Sequence, residues 1–142
     1  MVKWNYNDGG RVQAGYKGEA GDCLTRALAI AGDLSYQEAY DLINEYSKYK
    51  KTAHKIMDRL GFKWTPTMFV GQGCKVHLKA SELPKGKIIC MVVSSVSKVQ
   101  FPLAIPNVSK YFVAVVDGVI QDTFDCSRNE TRCVYGYWRL EE

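Results

Sequence analysis

The sequence predicts a single α+β domain over residues 1–142, in which N-terminal helices pack on a C-terminal antiparallel β-sheet. Capping signals and helically spaced apolar residues occupy the first half of the chain. The second half contains β-branched apolar runs, two of which flank Asp117-Gly118, a typical two-residue hairpin turn. The length of 142 residues suits one hydrophobic core, and the apolar content of 46% is that of a globular protein.

The first helix is predicted from Cys23 to Ala31. Asp22 or Gly21 is in position to cap its N-terminus, and Gly32 is in position to end it. Residues 1–22 are rich in Gly, Asn and Asp, so they are predicted to form an extended arm and a loop in front of this helix.

Two further helices are predicted in the first half of the chain. Ser35-Tyr36-Gln37-Glu38 has the spacing of a capping box, so the second helix should begin at Tyr36. A third helix is predicted from Thr52 to Leu60, with Gly61 at its end.

The second half of the chain predicts strands at Lys87 to Val93, Tyr111 to Val116, Val119 to Asp125 and Cys133 to Leu140. Residues 94–109 contain two prolines and are predicted to form a long loop or insertion. Long loops in compact domains often carry function, but a tolerated surface insertion explains this segment equally well.

Composition narrows the classes of partner. The formal net charge is +4, but no dense Lys/Arg block accompanies it, so nucleic acid is not the expected partner. No apolar run is long enough to cross a membrane, and the first residues do not have the pattern of a signal peptide. The expected location is the cytoplasm.

The five cysteines predict neither a metal site nor a cofactor site, because no Cys-x-x-Cys pair is present. Their irregular spacing favours free thiols in a reducing cytoplasm. A disulfide between Cys126 and Cys133, across a turn, is the alternative that the spacing leaves open.

Cys23 is the candidate nucleophile of the chain. It follows a glycine-containing loop and stands in the first turn of an apolar helix. The partial positive charge at a helix N-terminus lowers the pKa of a thiol, and nearby backbone N–H groups can stabilise an oxyanion. If the chain is an enzyme, Cys23 is expected to attack an amide or thioester carbonyl.

The hairpin supplies a geometric test of a catalytic site. A two-residue turn pairs Val116 with Val119, which places Asp122 diagonally opposite Tyr111 on the same face. A carboxylate on an otherwise apolar face needs a partner. In papain-like hydrolases a strand-borne His, held by an Asp or Asn, activates a Cys at a helix start. Residue 111 is the position for that His, and here it is Tyr.

Five segments of this chain carry motifs that occur together in one protein family: residues 18–31, 64–68, 71–78, 117–123 and 132–138. They cover much of the chain and resemble a family of small, largely uncharacterised phage and bacterial proteins with a papain-like cysteine peptidase fold. The resemblance implies papain-like topology, with Cys23 as nucleophile and Asp122 as orienting acid. Relatives have Ser-Arg-His where this chain has Ser109-Lys110-Tyr111.

Only His54 and His77 remain as alternative bases. His54 lies within the third predicted helix and is expected at the surface or at a boundary. His77 follows a glycine-containing segment and is a weaker candidate to approach Cys23, because a structural role fits its apolar neighbours better. Tyr111 is a poor base for a thiol, because the ordinary pKa of tyrosine is about 10.

Three interpretations follow from this pattern. In the first, the chain is a papain-like cysteine hydrolase that uses another base. In the second, it is a degenerate relative, a pseudoenzyme that inhibits or redirects a host protein during phage infection. In the third, Cys23 is simply a buried helix residue.

The leading hypothesis is a phage-type protein of papain-like fold, either a cysteine hydrolase or, because Cys23 and Asp122 are present and the His is not, its degenerate descendant. The alternative is a non-enzymatic protein that inhibits or redirects a host protein during phage infection. The resemblance makes a host or phage protein the expected partner.

Overall fold

The computed structural model describes residues 3–16, 22–47, 52–69, 73–93, 110–127 and 130–140. The elements in chain order are β1 (Lys3–Tyr6), α1 (Cys23–Ala31), α2 (Tyr36–Tyr46), α3 (Thr52–Leu60), β2 (Phe62–Pro66), β3 (Met68–Phe69), β4 (Gly73–Cys74), β5 (Lys87–Val93), β6 (Lys110–Val116), β7 (Val119–Asp122) and β8 (Val134–Leu140). A short 3₁₀ turn lies at Ala80–Glu82.

Six of the strands form one sheet in the order β1-β7-β6-β5-β8-β2, and β3 pairs with β4 in a separate ribbon. The predicted α+β class is confirmed. The prediction that the sheet is antiparallel is wrong in one respect, because β1 runs parallel to β7, from Lys3 beside Val119 to Tyr6 beside Asp122. The sheet is therefore mixed. The region predicted as an extended arm contributes one of its edge strands.

The first and third helices have the predicted bounds, and the second begins at Tyr36 as predicted. The Ser35 hydroxyl accepts from the backbone N–H of Glu38, and the Glu38 carboxylate accepts from the Ser35 N–H, so the capping box is complete. Asp22 stands at the cap of α1, but its side chain makes no capping hydrogen bond. Its carboxylate is turned to other partners, which are described with the candidate site.

The hairpin has the predicted register, with Val116 opposite Val119 and Val115 opposite Ile120. Asp117 and Gly118 have φ angles of 49° and 81°, the left-handed pair that such a two-residue turn requires. The second strand is shorter than predicted and ends at Asp122, where the carboxylate bonds the next backbone N–H. The predicted loop at 94–109 lies outside the described residues.

The sheet is buried on both faces, which explains the nearly continuous apolar sequence of β5. The helices cover one face, where Leu28, Ile56 and Met57 pack against Ile89 and Trp138. On the other face, strands β5, β6 and β7 pack against the segments that follow β4 and β7. The buried residues of this second cluster include Leu78, Leu83, Cys126, Ile88, Val92, Val113 and Ile120.

Cys74 and Cys133 form a disulfide, so the prediction of free thiols is wrong for these two residues. The alternative pairing of Cys126 with Cys133 is also wrong, because Cys126 is a free, buried thiol. The two bonded cysteines are 59 residues apart. None of the helices among the described residues has the length and apolar character that a membrane crossing needs.

Candidate functional site

Asp122 and Tyr111 meet across the hairpin, as the register predicts. The Tyr111 hydroxyl donates to Asp122 Oδ2 at 2.8 Å. Asp122 is only 2% exposed, and its Oδ1 also accepts the backbone N–H of Thr123 at 2.7 Å. The buried carboxylate is therefore well satisfied, which is the condition for keeping a charge out of water.

Arg26, on α1, is the third member of this cluster. Its Nη2 donates to Asp122 Oδ1 at 3.2 Å and to the Tyr111 hydroxyl at 2.9 Å. Its Nη1 donates to Asp22, one helical turn earlier. Because the Arg26 side chain is only 13% exposed, these ion pairs are shielded from solvent and bind α1 firmly to the hairpin.

Asp22 extends the cluster to the second helix and to the N-terminal turn. Its Oδ2 accepts from the Tyr36 hydroxyl at 2.7 Å and from Arg11 Nη1 at 3.4 Å. Burial and the hydrogen bond to Asp22 raise the pKa of Tyr36 to about 12. We call the connected side chains of Arg11, Asp22, Arg26, Tyr36, Tyr111 and Asp122 the buried polar network.

The Cys23 thiol lies beside this network at the start of α1, and it is not activated. Burial is the largest influence on it and raises its pKa above the ordinary value, and the charge of Asp122 adds to this effect. Hydrogen bonds from the backbone of Phe112 and Leu24 and the charge of Arg26 act in the opposite direction and do not prevail. The lowered pKa expected from the helix start is therefore wrong, because desolvation outweighs the helix dipole.

Tyr111 occupies the position expected for a base but cannot act as one. Burial and the hydrogen bond to Asp122 raise its pKa far above the ordinary tyrosine value. Its hydroxyl already donates to Asp122 and accepts from Arg26. The phenol therefore stays neutral at physiological pH and serves as a hydrogen-bonded link between α1 and the hairpin.

The two histidines have other contacts. His77 forms an isolated β-bridge with Cys133, and its Nδ1 lies 3.2 Å from Glu82 Oε1. The groups that set the Cys23 pKa do not include it. His54 is partly buried, as expected of a boundary residue, and its ring packs edge-on against Trp64 and Trp138.

A cleft of about 650 Å³ opens on the helix side of the sheet, next to Cys23. Leu24 and Phe112, whose backbones hydrogen-bond the thiol, both line it. The lining is otherwise formed by the first turn of α3 and by side chains of β2, β3, β5 and β8: Thr52, Ala53, His54, Trp64, Pro66, Met68, Met91 and Tyr135. We refer to it below as the aromatic cleft.

Sequence reasoning missed Arg26, the residue that joins the two halves of the network. A signal for it was present, because Arg26 is the one charged side chain in the nine residues of α1 and stands four residues after Asp22. That spacing brings opposite charges together on a helix. Nothing local indicated that the same guanidinium would reach the hairpin.

The described residues contain no group of three or more His, Cys, Asp or Glu side chains that could hold a metal ion. The acid, the phenol and the guanidinium satisfy one another, and burial raises the pKa of the adjacent Cys23 thiol, so this arrangement favours hydrogen-bonding and electrostatic roles. No protein-family model, curated protein or solved structure matches this chain.

Proposed function

We propose that this protein is a homologue of phage-type papain-like cysteine hydrolases that no longer hydrolyses a substrate, and that it acts by binding a host protein during phage infection. The family assignment rests on the sequence motifs and their resemblance. The loss of hydrolysis is supported by one observation: Arg26 and Tyr111 together occupy Asp122, the acid that would otherwise orient a histidine.

The Cys23 thiol is the second support for a non-hydrolytic role. A cysteine nucleophile must be a thiolate, which requires a lowered pKa or a base within hydrogen-bond reach. Here burial raises the pKa, and the position that faces Asp122 is occupied by a phenol. Cys23 therefore contributes to packing at the start of α1 and not to nucleophilic attack.

The buried polar network fits a protein that presents a rigid surface. It connects the N-terminal turn, α1, α2 and the β6–β7 hairpin through charge-assisted hydrogen bonds. Such a network fixes the relative positions of these elements, and a preorganised surface loses less conformational entropy when it binds a partner.

The rate of Cys23 alkylation by iodoacetamide, measured from pH 6 to 10 on the native protein, tests the proposal. Because the Cys23 pKa is raised, Cys23 should react more slowly than glutathione at pH 7, and its rate should rise only above the ordinary cysteine value of about 8.5. Mass spectrometry assigns the modified site. A Cys23→Ala variant provides the background from the buried thiols of Cys90 and Cys126.

An inflection below pH 7, with a neutral rate above that of glutathione, would overturn the proposal, because it would show an activated thiolate. The binding role makes a separate demand. If expression of the wild-type chain in a bacterium slows growth, Cys23→Ala should slow it equally, whereas loss of the effect in that variant would indicate a hydrolase.

A further inference from the structure

The aromatic cleft has chemistry that the proposed function does not use. Its walls contain the rings of Trp64, Phe112 and Tyr135 and the thioethers of Met68 and Met91. Aromatic rings and thioethers make their best contacts with other flat rings, through offset, edge-to-face and sulfur–ring geometries. The wall therefore favours an aromatic ligand over a flexible alkyl chain.

One wall of the cleft is already assembled. The rings of Trp64 and Trp138 lie 4.4 Å apart between centroids, and the His54 ring lies 4.9 Å from Trp64 and 5.0 Å from Trp138. Trp138 is fully buried behind the two lining residues and holds them in place. A ligand would find these rings already positioned, so little ordering would accompany its binding.

The lining also indicates the charge of the ligand. None of the ten described residues that line the cleft is Asp, Glu, Lys or Arg. A charged ligand would lose hydration in the cleft without gaining an ion pair, which is unfavourable. Tyr135 adds a phenol hydroxyl to the lining, which suits a neutral ligand with a single hydroxyl or carbonyl group.

The volume of the aromatic cleft indicates the size of the ligand that it can hold. The volume of about 650 Å³ lies within the range of small-molecule pockets. A cavity of about 150 Å³ suffices for benzene, so a cleft of this size accommodates two or three fused rings with their substituents.

We propose that the aromatic cleft is a binding site for a small, neutral, fused-ring aromatic molecule. The site is separate from the buried polar network and goes beyond the binding of a host protein. It needs no catalysis by Cys23, and it would remain a ligand site if Cys23 were reactive after all.

Titration of the full-length protein with the neutral probe N-phenyl-1-naphthylamine tests this site. Probe fluorescence should rise saturably with one site and a Kd of about 10–100 μM, in the range that ligand efficiency allows. Ala53→Leu places a larger side chain in the cleft without removing any core residue, and should weaken binding by about tenfold or more. The matched control is Ala14→Leu, at an exposed turn residue.

Competition then tests the ligand class. Naphthalene-2-methanol should displace the probe, and 2-naphthoate and 1-decanol should do so at least about tenfold more weakly. In a Trp4→Phe variant, which retains only Trp64 and its neighbour Trp138, probe binding should quench tryptophan emission. The absence of saturable binding, or an unchanged Kd in a folded Ala53→Leu variant, would refute the site. Equal displacement by naphthoate or decanol would refute the ligand class.

Discussion

Tyr111 donates its hydroxyl hydrogen to Asp122 at 2.8 Å, a contact that the proposed function assigns to an imidazole in hydrolytic relatives. The phenol can make this hydrogen bond but cannot pass a proton to or from a thiol at neutral pH, because its pKa is strongly raised. The contact therefore has a structural role, because it joins the two strands of the hairpin and binds Arg26 of α1.

Restoring a histidine at position 111 should activate Cys23 only in part. In Tyr111→His the imidazole must compete with Arg26 for Asp122, so we expect a modest fall in the Cys23 pKa. In the double variant Tyr111→His and Arg26→Met, no guanidinium competes with the imidazole for Asp122, and the Cys23 pKa should fall further. The measurement is the pH dependence of Cys23 alkylation.

The control for this series is Arg26→Met alone, which should change the Cys23 pKa in the opposite direction. The Arg26 charge lowers that pKa in the wild-type protein, so its removal should raise it and slow alkylation. If Tyr111→His left the alkylation profile unchanged in both backgrounds, residue 111 would not be the position of a base.

Alkaline pH should destabilise the protein through Tyr111. Its pKa is raised in the folded state by burial and by Asp122, so the folded protein holds this proton more tightly than the unfolded chain does. The resulting stabilisation is complete below the ordinary tyrosine pKa of about 10 and is lost as pH rises above it. Urea unfolding at pH 8 to 11 should show this loss.

A Tyr111→Phe variant isolates the contribution of that proton. It should be less stable than the wild type by about 1–2 kcal/mol at pH 8, because Asp122 and Arg26 each lose a hydrogen-bond partner. Its free energy of unfolding should fall less steeply above pH 10. Parallel pH profiles for the two proteins would assign the alkaline loss to other groups, among which Tyr36 has a pKa raised to about 12.

Reduction of the Cys74–Cys133 disulfide should lower the free energy of unfolding by about 4 kcal/mol, as expected for a covalent loop of this length. The two residues are 59 positions apart, so the bond restricts the unfolded chain strongly. Urea unfolding with and without dithiothreitol measures the change. In the double variant Cys74→Ala and Cys133→Ala the reductant should have no effect, and an equal loss in that variant would point to another cause.

Gly136→Ala should be strongly destabilising, although alanine is a small residue. A Cβ atom at position 136 would lie 2.1 Å from the Trp64 ring, which packs directly over the glycine. Relief of that overlap requires the ring or the strand to move, at a cost of about 1–3 kcal/mol. A double-mutant cycle with Trp64→Ala checks the cause, because the substitution should cost much less where the ring is absent.

The sequence was sufficient wherever structure depends on residues close together in the chain. The capping box at Ser35 and Glu38 predicted the start of α2, and the turn at Asp117-Gly118 fixed the register of the hairpin. The contact between Tyr111 and Asp122 followed from that register. Each of these predictions needed only local geometry.

The remaining features depend on residues that are distant in sequence. The parallel pairing of β1 with β7, the reach of Arg26 to Asp122 and the disulfide of Cys133 have no local signal. The predicted lowering of the Cys23 pKa was wrong for a related reason. The position of Cys23 at a helix start is visible in the sequence, but the burial that raises its pKa depends on how the hairpin packs against α1.

The pairing of β1 with β7 has a consequence for biosynthesis. Lys3 lies beside Val119, so β1 must wait for a strand made 116 residues later before its backbone groups find their partners. Until then its aromatic residues, Trp4 and Tyr6, belong to an unpaired segment of the nascent chain. This sheet edge therefore stays incomplete in the nascent chain until β7 has been made.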